Sequence, residues 1–174
     1  TNYDLSLSGD GNTIVVLGVA WMWDNFRLGG LGYHALCNTT TLNVTNRYDD
    51  GYRAECVYSR ATVFKRKNSD SNEWDILGAP IEHMVENDRY TQYKGRREVV
   101  SLSNDGKSFA IGYVGGVDVD KLKDGESWEK KGDSILAGSF KSLSLSSNGE
   151  RIATGSGIYE YDQAMDSWTI LGIE

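Results

Sequence analysis

Val100-Ser101-Leu102-Ser103-Asn104-Asp105-Gly106 is the stretch on which the fold turns. Apolar and small polar residues alternate and then run into Asn-Asp-Gly, which reads as a strand entering a tight hairpin turn where Gly supplies positive φ. The phrase occurs twice more, as Leu5-Ser6-Leu7-Ser8-Gly9-Asp10-Gly11 and as Leu143-Ser144-Leu145-Ser146-Ser147-Asn148-Gly149. A second short strand follows each copy: Thr13-Ile14-Val15-Val16, Ser108-Phe109-Ala110-Ile111 and Arg151-Ile152-Ala153-Thr154. A phrase that returns together with its flank is an internal repeat, and the repeat fixes the architecture before any single residue does.

Working outward, the rest of the unit recurs as well. Ala61-Thr62-Val63-Phe64, Val117-Asp118-Val119-Asp120 and Ile158-Tyr159-Glu160-Tyr161 read as third, alternating strands. Each leads through a polar turn to Trp74, Trp128 or Trp168, and four residues beyond each Trp stands Gly78, Gly132 or Gly172. A fainter copy begins at Thr41-Leu42-Asn43-Val44-Thr45 and turns through Asp49-Asp50-Gly51, so the turn glycines Gly11, Gly51, Gly106 and Gly149 lie 40, 55 and 43 residues apart. The chain then divides into a degenerate repeat over 1–40, repeats over 41–81, 98–138 and 139–174, and a polar inserted loop over 82–97. In the first repeat Trp23 and Gly29 stand in for the usual Trp and Gly, and the third strand is compressed or lost. The expected class is all-β, with about four antiparallel blade-like repeats of propeller size. Twenty Gly, 10 Tyr and a single Pro fit sheets joined by tight turns.

The string S-L-S-x-D-G-x-x-x-A-x-G, followed by V-x-V-x and W-x-x-L-G, resembles the tandem propeller-type repeats of large secreted algal and microbial proteins, which are distantly WD40- or kelch-like. The resemblance spans nearly the whole chain and its motifs are structural. It implies an extracellular structural or binding role and brings no catalytic residues with it. Four units are fewer than the six or seven of such a ring. Two arrangements therefore satisfy the sequence: four blades that close on themselves, or blades completed by neighbouring copies of the chain. Thr1 reads as a processed end or the start of a fragment, and both ends fall on repeat boundaries. A sheet stack left open exposes an apolar face at each end, and a head-to-tail contact that does not close by rotation makes a filament.

Composition narrows the partners. Lys and Arg number 18 against 25 Asp and Glu, a formal charge of −7, which disfavours a nucleic-acid partner. No apolar run reaches the ~20 residues of a membrane span. The two cysteines, Cys37 and Cys56, fit one disulfide or a pair of buried thiols. Between them Asn38-Thr39-Thr40 and Asn43-Val44-Thr45 are N-x-T glycosylation acceptors at Asn38 and Asn43, and the two features together point to the secretory pathway.

Little else in the chain suggests chemistry. Asp118, Asp120 and Asp124 faintly resemble an acidic calcium loop, but read better as the polar face of a strand and its turn. His34 and His83 stand in irregular segments without partners at ligand spacing, so no metal is expected. There is no G-x-S-x-G, P-loop or H-E-x-x-H. Glu82, Glu86 and Asp88 in the inserted loop read as solvated acids, although a glycosidase pair meets only in space. Lys65-Arg66-Lys67 and Lys94-Gly95-Arg96-Arg97 are the basic clusters and read as ordinary surface. Trp21, Trp23, Phe26 and Tyr33 form an aromatic group suited to core packing, to an interface, or to stacking on sugars. The recurring Trp74, Trp128 and Trp168 read as structural. No enzyme and no cofactor is expected. The reading is an extracellular structural glycoprotein that assembles with copies of itself into a fibre or coat. A lectin-like module that binds glycans is the alternative, and a glycosidase the weakest.

Overall fold

The computed structural model describes residues 2–23, 55–68, 72–86, 98–113, 116–136 and 142–172. Among them there is no helix, and the strands form three antiparallel sheets. Sheet I runs β1 (Asn2–Leu7), β2 (Thr13–Trp23), β3 (Glu55–Arg66) and β4 (Trp74–Ile76), with β5 (Ile81–Glu86) pairing the other end of β3. Sheet II repeats that plan with β6 (Val99–Leu102), β7 (Ser108–Tyr113), β8 (Gly116–Lys123), β9 (Ser127–Lys130) and β10 (Ile135–Leu136). Sheet III is β11 (Leu143–Leu145), β12 (Arg151–Thr154), β13 (Gly157–Asp162) and β14 (Ser167–Gly172). Among the described residues these sheets close into no barrel or propeller.

The repeated turn has a common internal chemistry. In sheet II the Ser103 hydroxyl donates to Asp105 Oδ1 at 2.6 Å while its oxygen accepts the Ser108 amide at 2.9 Å. Asp105 Oδ1 also accepts the Lys107 amide, and the Gly106 amide donates to the Ser103 carbonyl. Ser8 with Asp10, and Ser146 with Asn148, make the same bonds in sheets I and III. The S-x-D/N-G phrase is thus a self-satisfied turn: Ser and Asp take up amides that the reversal would orphan, and Gly takes φ near +70°. These bonds, that of the Ser8 hydroxyl foremost, hold the Asp10 carboxyl below its ordinary pKa.

Three expectations change. The hairpins expected in separate first and second repeats belong to one sheet: β2 pairs β3 in unbroken register from Thr13↔Lys65 to Trp23↔Glu55. Long strands at 13–23 and 55–66 pair with each other, and the turn expected through Gly51 lies outside the described residues. Trp23 accordingly ends the second strand of sheet I instead of marking a fourth. The segment assigned to a loop from Glu82 is strand as far as Glu86, with His83 opposite Ser59. Finally, Asp118 and Asp120 are buried, because the face of β8 that carries them is covered and not left to solvent.

The core lies between the sheets. Val15, Leu17, Ala61 and Val63 of sheet I meet Val100, Leu102, Phe109 and Ile111 of sheet II, with Leu77, Ile81 and Trp128 at the margin. Ala110, Val117, Val119 and Ile135 of sheet II meet Leu145 and Ile152 of sheet III, with Leu143, Tyr159 and Trp168 beside them. Strand β7 serves both interfaces, since alternate side chains face opposite ways.

Candidate functional site

What repeats with chemical detail is the contact by which one sheet holds the next, built from three parts. The first is an indole. Trp128 Nε1 of sheet II donates to the Leu77 carbonyl of sheet I at 2.8 Å, and Trp168 Nε1 of sheet III donates to the Lys131 carbonyl of sheet II at 2.8 Å. Each carbonyl belongs to the residue before a glycine, and the indole lies over that glycine. A Cβ on Gly78 would stand 2.8 Å from Trp128 Cδ1, and one on Gly132 would stand 3.1 Å from Trp168 Cδ1. The W-x-x-L-G phrase therefore joins two roles: its Trp reaches back to the preceding sheet, and its Leu-Gly receives the Trp of the next. In sheet II that receiving pair is Lys131-Gly132.

The second part is an inner-strand serine. Ser6 Oγ accepts the Leu102 amide at 2.9 Å, and Ser101 Oγ accepts the Leu145 amide at 3.0 Å. Asp4 Oδ2 adds a bond from the Val100 amide. The third is the turn itself. A Cβ on Gly106 would meet Thr13 Oγ1 at 2.8 Å, and one on Gly149 would meet the Ser108 hydroxyl at 2.6 Å, so each turn glycine is pressed against the sheet before it.

One position departs from the pattern and changes the chemistry. Lys131 stands where sheet I has Leu77, and its side chain is 4% exposed. Its Nζ donates to the Gly149 carbonyl at 2.7 Å and to Glu150 Oε1 at 2.9 Å. It also lies 4.5 Å from the Tyr161 ring centroid and 5.8 Å from that of Trp168. A buried ammonium held by a carbonyl, a carboxylate and two aromatic faces is a satisfied charge. Tyr161 in turn donates to Asp166 Oδ1; this bond, with burial, pushes its phenol up to about 12.

At the two ends of the series the same positions stand open. Leu7, the counterpart of Leu102 and Leu145, is 52% exposed where they are 6% and 9%. Trp74, the counterpart of the two indole donors, is 39% exposed, and Leu5 and Ile76 of the same sheet are exposed as well. A Cβ on Gly11 would meet nothing within 4 Å among the described residues. Sheet III leaves open the complementary positions: Ser144 and Leu171 are exposed, and a Cβ on Gly172 would likewise meet nothing.

The remaining sequence candidates are scattered. Trp21 and Trp23 lie on β2 and Cys56 on β3 opposite Met22. Cys37, Asn38, Asn43, Phe26, Tyr33, His34, Asp88 and the cluster at 94–97 lie outside the described residues, as does the strand expected at 41–45. Asp118 meets Lys130 Nζ at 3.0 Å, whereas Asp124 stands exposed in the β8–β9 turn with φ of 51°, so the three aspartates form no common loop. Burial holds the neighbouring Tyr113 phenol above its ordinary pKa. Lys67 pairs with Glu73 at 2.8 Å and lies 3.7 Å from Asp75, so this basic cluster is partly neutralised by its own hairpin. Among the described residues no group of His, Cys, Asp and Glu is placed to hold a metal, and no helix is long and apolar enough to cross a membrane. The clasp between sheets was invisible as such in the sequence, although the fixed Trp-to-Gly spacing was its signal. Neither a protein-family model nor a curated protein matches the chain.

Proposed function

We propose that the chain is an extracellular, propeller-like structural glycoprotein whose blade repeats assemble with copies of themselves into a fibre or coat. One observation carries this: Leu7, Trp74 and Gly11 stand open at one end of the sheet series while Ser144, Leu171 and Gly172 stand open at the other, and the equivalents of both sets are sealed inside. Exposed apolar surface such as Leu5, Leu7 and Ile76 on one face of sheet I marks an interaction site when it is contiguous and large. Placement outside the cell rests on the paired sequons at Asn38 and Asn43 and on the cysteines that flank them.

The lectin-like alternative needs equivalent aromatic pockets facing solvent. Trp128 and Trp168 spend their indole N–H groups on neighbouring sheets and are partly buried, which weighs against using them as sugar platforms. Electron microscopy of the purified, concentrated chain tests the proposal. Fibres or sheets are expected, and a monodisperse monomer at every concentration would remove it.

A further inference from the structure

Resting on that reading, we infer that a second copy of this chain docks head to tail, with sheet I of the incoming copy seated on sheet III of the first by the same three-part contact that joins I to II and II to III. The partner is specified by position. Trp74 Nε1 is the counterpart of the two indoles that donate across sheets, and the Leu171 carbonyl is the counterpart of the two that accept. The Leu7 amide is the counterpart of the Leu102 and Leu145 amides, and Ser144 Oγ of Ser6 and Ser101 Oγ. Leu5, Leu7 and Ile76 supply the apolar face, opposite Ile158 and Leu171, all of them exposed in the single chain. Arg151 is the long side chain at the seat of the turn glycine, and its guanidinium is drawn aside onto Glu160 Oε1 at 2.7 Å.

Charge is compatible with the pairing. Lys131 on the receiving side of sheet II matches Glu150, the residue after the turn glycine of sheet III. On the open receiving face the same position is Leu171, and on the open incoming face the residue after Gly11 is Asn12. Leu171 against Asn12 leaves no charge behind. The receiving face of sheet II is already taken by sheet III, and the incoming face of sheet III by sheet II, which leaves one receiving face and one incoming face open. The copies therefore add in one order, III to I. A contact of this heterologous kind gives a ring where its rotation closes and a filament where it does not.

Two single-face variants test this by sedimentation. Gly172→Trp fills the receiving face at a glycine that has open space and no positive φ, and Leu7→Glu puts charge on the incoming face at an exposed position. Circular dichroism verifies that each is folded. Each alone is expected to be monomeric where the unmodified chain assembles, and a one-to-one mixture is expected to stop at a dimer. An independent pair uses chemistry and not bulk: Leu171→Lys is expected to weaken self-association at least tenfold, and adding Asn12→Glu to restore it. If the unmodified chain is monomeric, self-assembly itself falls and this contact with it. Should it assemble while either single-face variant still does so, or should the mixture stay monomeric, assembly stands and the III-to-I contact is wrong. A closed dimer of the unmodified chain would uphold the contact and remove the fibre.

Discussion

The two internal interfaces share one geometry and differ in chemistry. Between sheets I and II the filling around the inter-sheet hydrogen bonds is apolar: Val15 and Leu17 stand against Phe109 and Ile111, and Leu77 packs at the margin of this cluster. Between II and III the second strand offers Ala110 and Gly112 where sheet I has Val15 and Leu17. The smaller side chains are accompanied by Lys131, which carries the interface with its stem, its charge and two aromatic partners. The difference shows that the backbone contact sets the arrangement, with indole to carbonyl and serine to amide, while the filling is free to vary. Specificity can then be written into one position without altering the stack.

Substitutions break or sharpen this contrast to different degrees. Phe109 is fully buried and meets Trp128 edge-on with centroids 4.8 Å apart. Phe109→Ala is expected to cost about 3–5 kcal/mol by denaturant unfolding, because the cavity opens where the apolar interface is thickest. Lys131→Ala is expected to cost about 1–3 kcal/mol, since the Gly149 carbonyl loses its donor while Glu150 can rehydrate. Lys131→Leu, which writes the first interface into the second, loses the same carbonyl donor but keeps the apolar filling, so it should cost about 1 kcal/mol less than the Ala variant. A Leu variant as damaged as the Ala variant would show that the two fillings are not interchangeable. The smallest effect is alkaline. The Tyr161 pKa is raised on folding, so its contribution is complete below the unfolded value near 10 and is lost as pH rises through about 12. Comparing Tyr161→Phe with the unmodified chain by absorbance at 295 nm should remove one late-titrating phenol.

Much of the fold was legible because turn and strand chemistry are local. Ser103-Asn104-Asp105-Gly106 and its echoes carry their own hydrogen bonds, so the hairpins β1–β2, β6–β7 and β11–β12 stand where the sequence placed them. The third strands at 61–64, 117–120 and 158–161 also fall within β3, β8 and β13. Partnership between distant strands is not local, and there the reading failed: nothing between Trp23 and Glu55 announces that these residues face each other. Asp118 and Asp120 misled for a related reason, since alternation tells which residues share a face but not whether that face meets water. The contacts between sheets lay in between. The recurrence of Trp and Gly marked them as structural, yet only the folded chain shows that Trp128 and Trp168 each serve the sheet before their own.

Strand β7 sends Phe109 and Ile111 to one neighbour and Ala110 to the other. Inserting a single residue there would exchange these assignments along the rest of the strand and spoil two interfaces at once. Between β2 and β3 the chain spends residues 24–54 without disturbing a register that runs from Thr13 to Trp23. Lineages carrying this architecture should therefore keep strand lengths fixed while connector lengths drift, so that novelty enters at the rims and the stack is inherited whole.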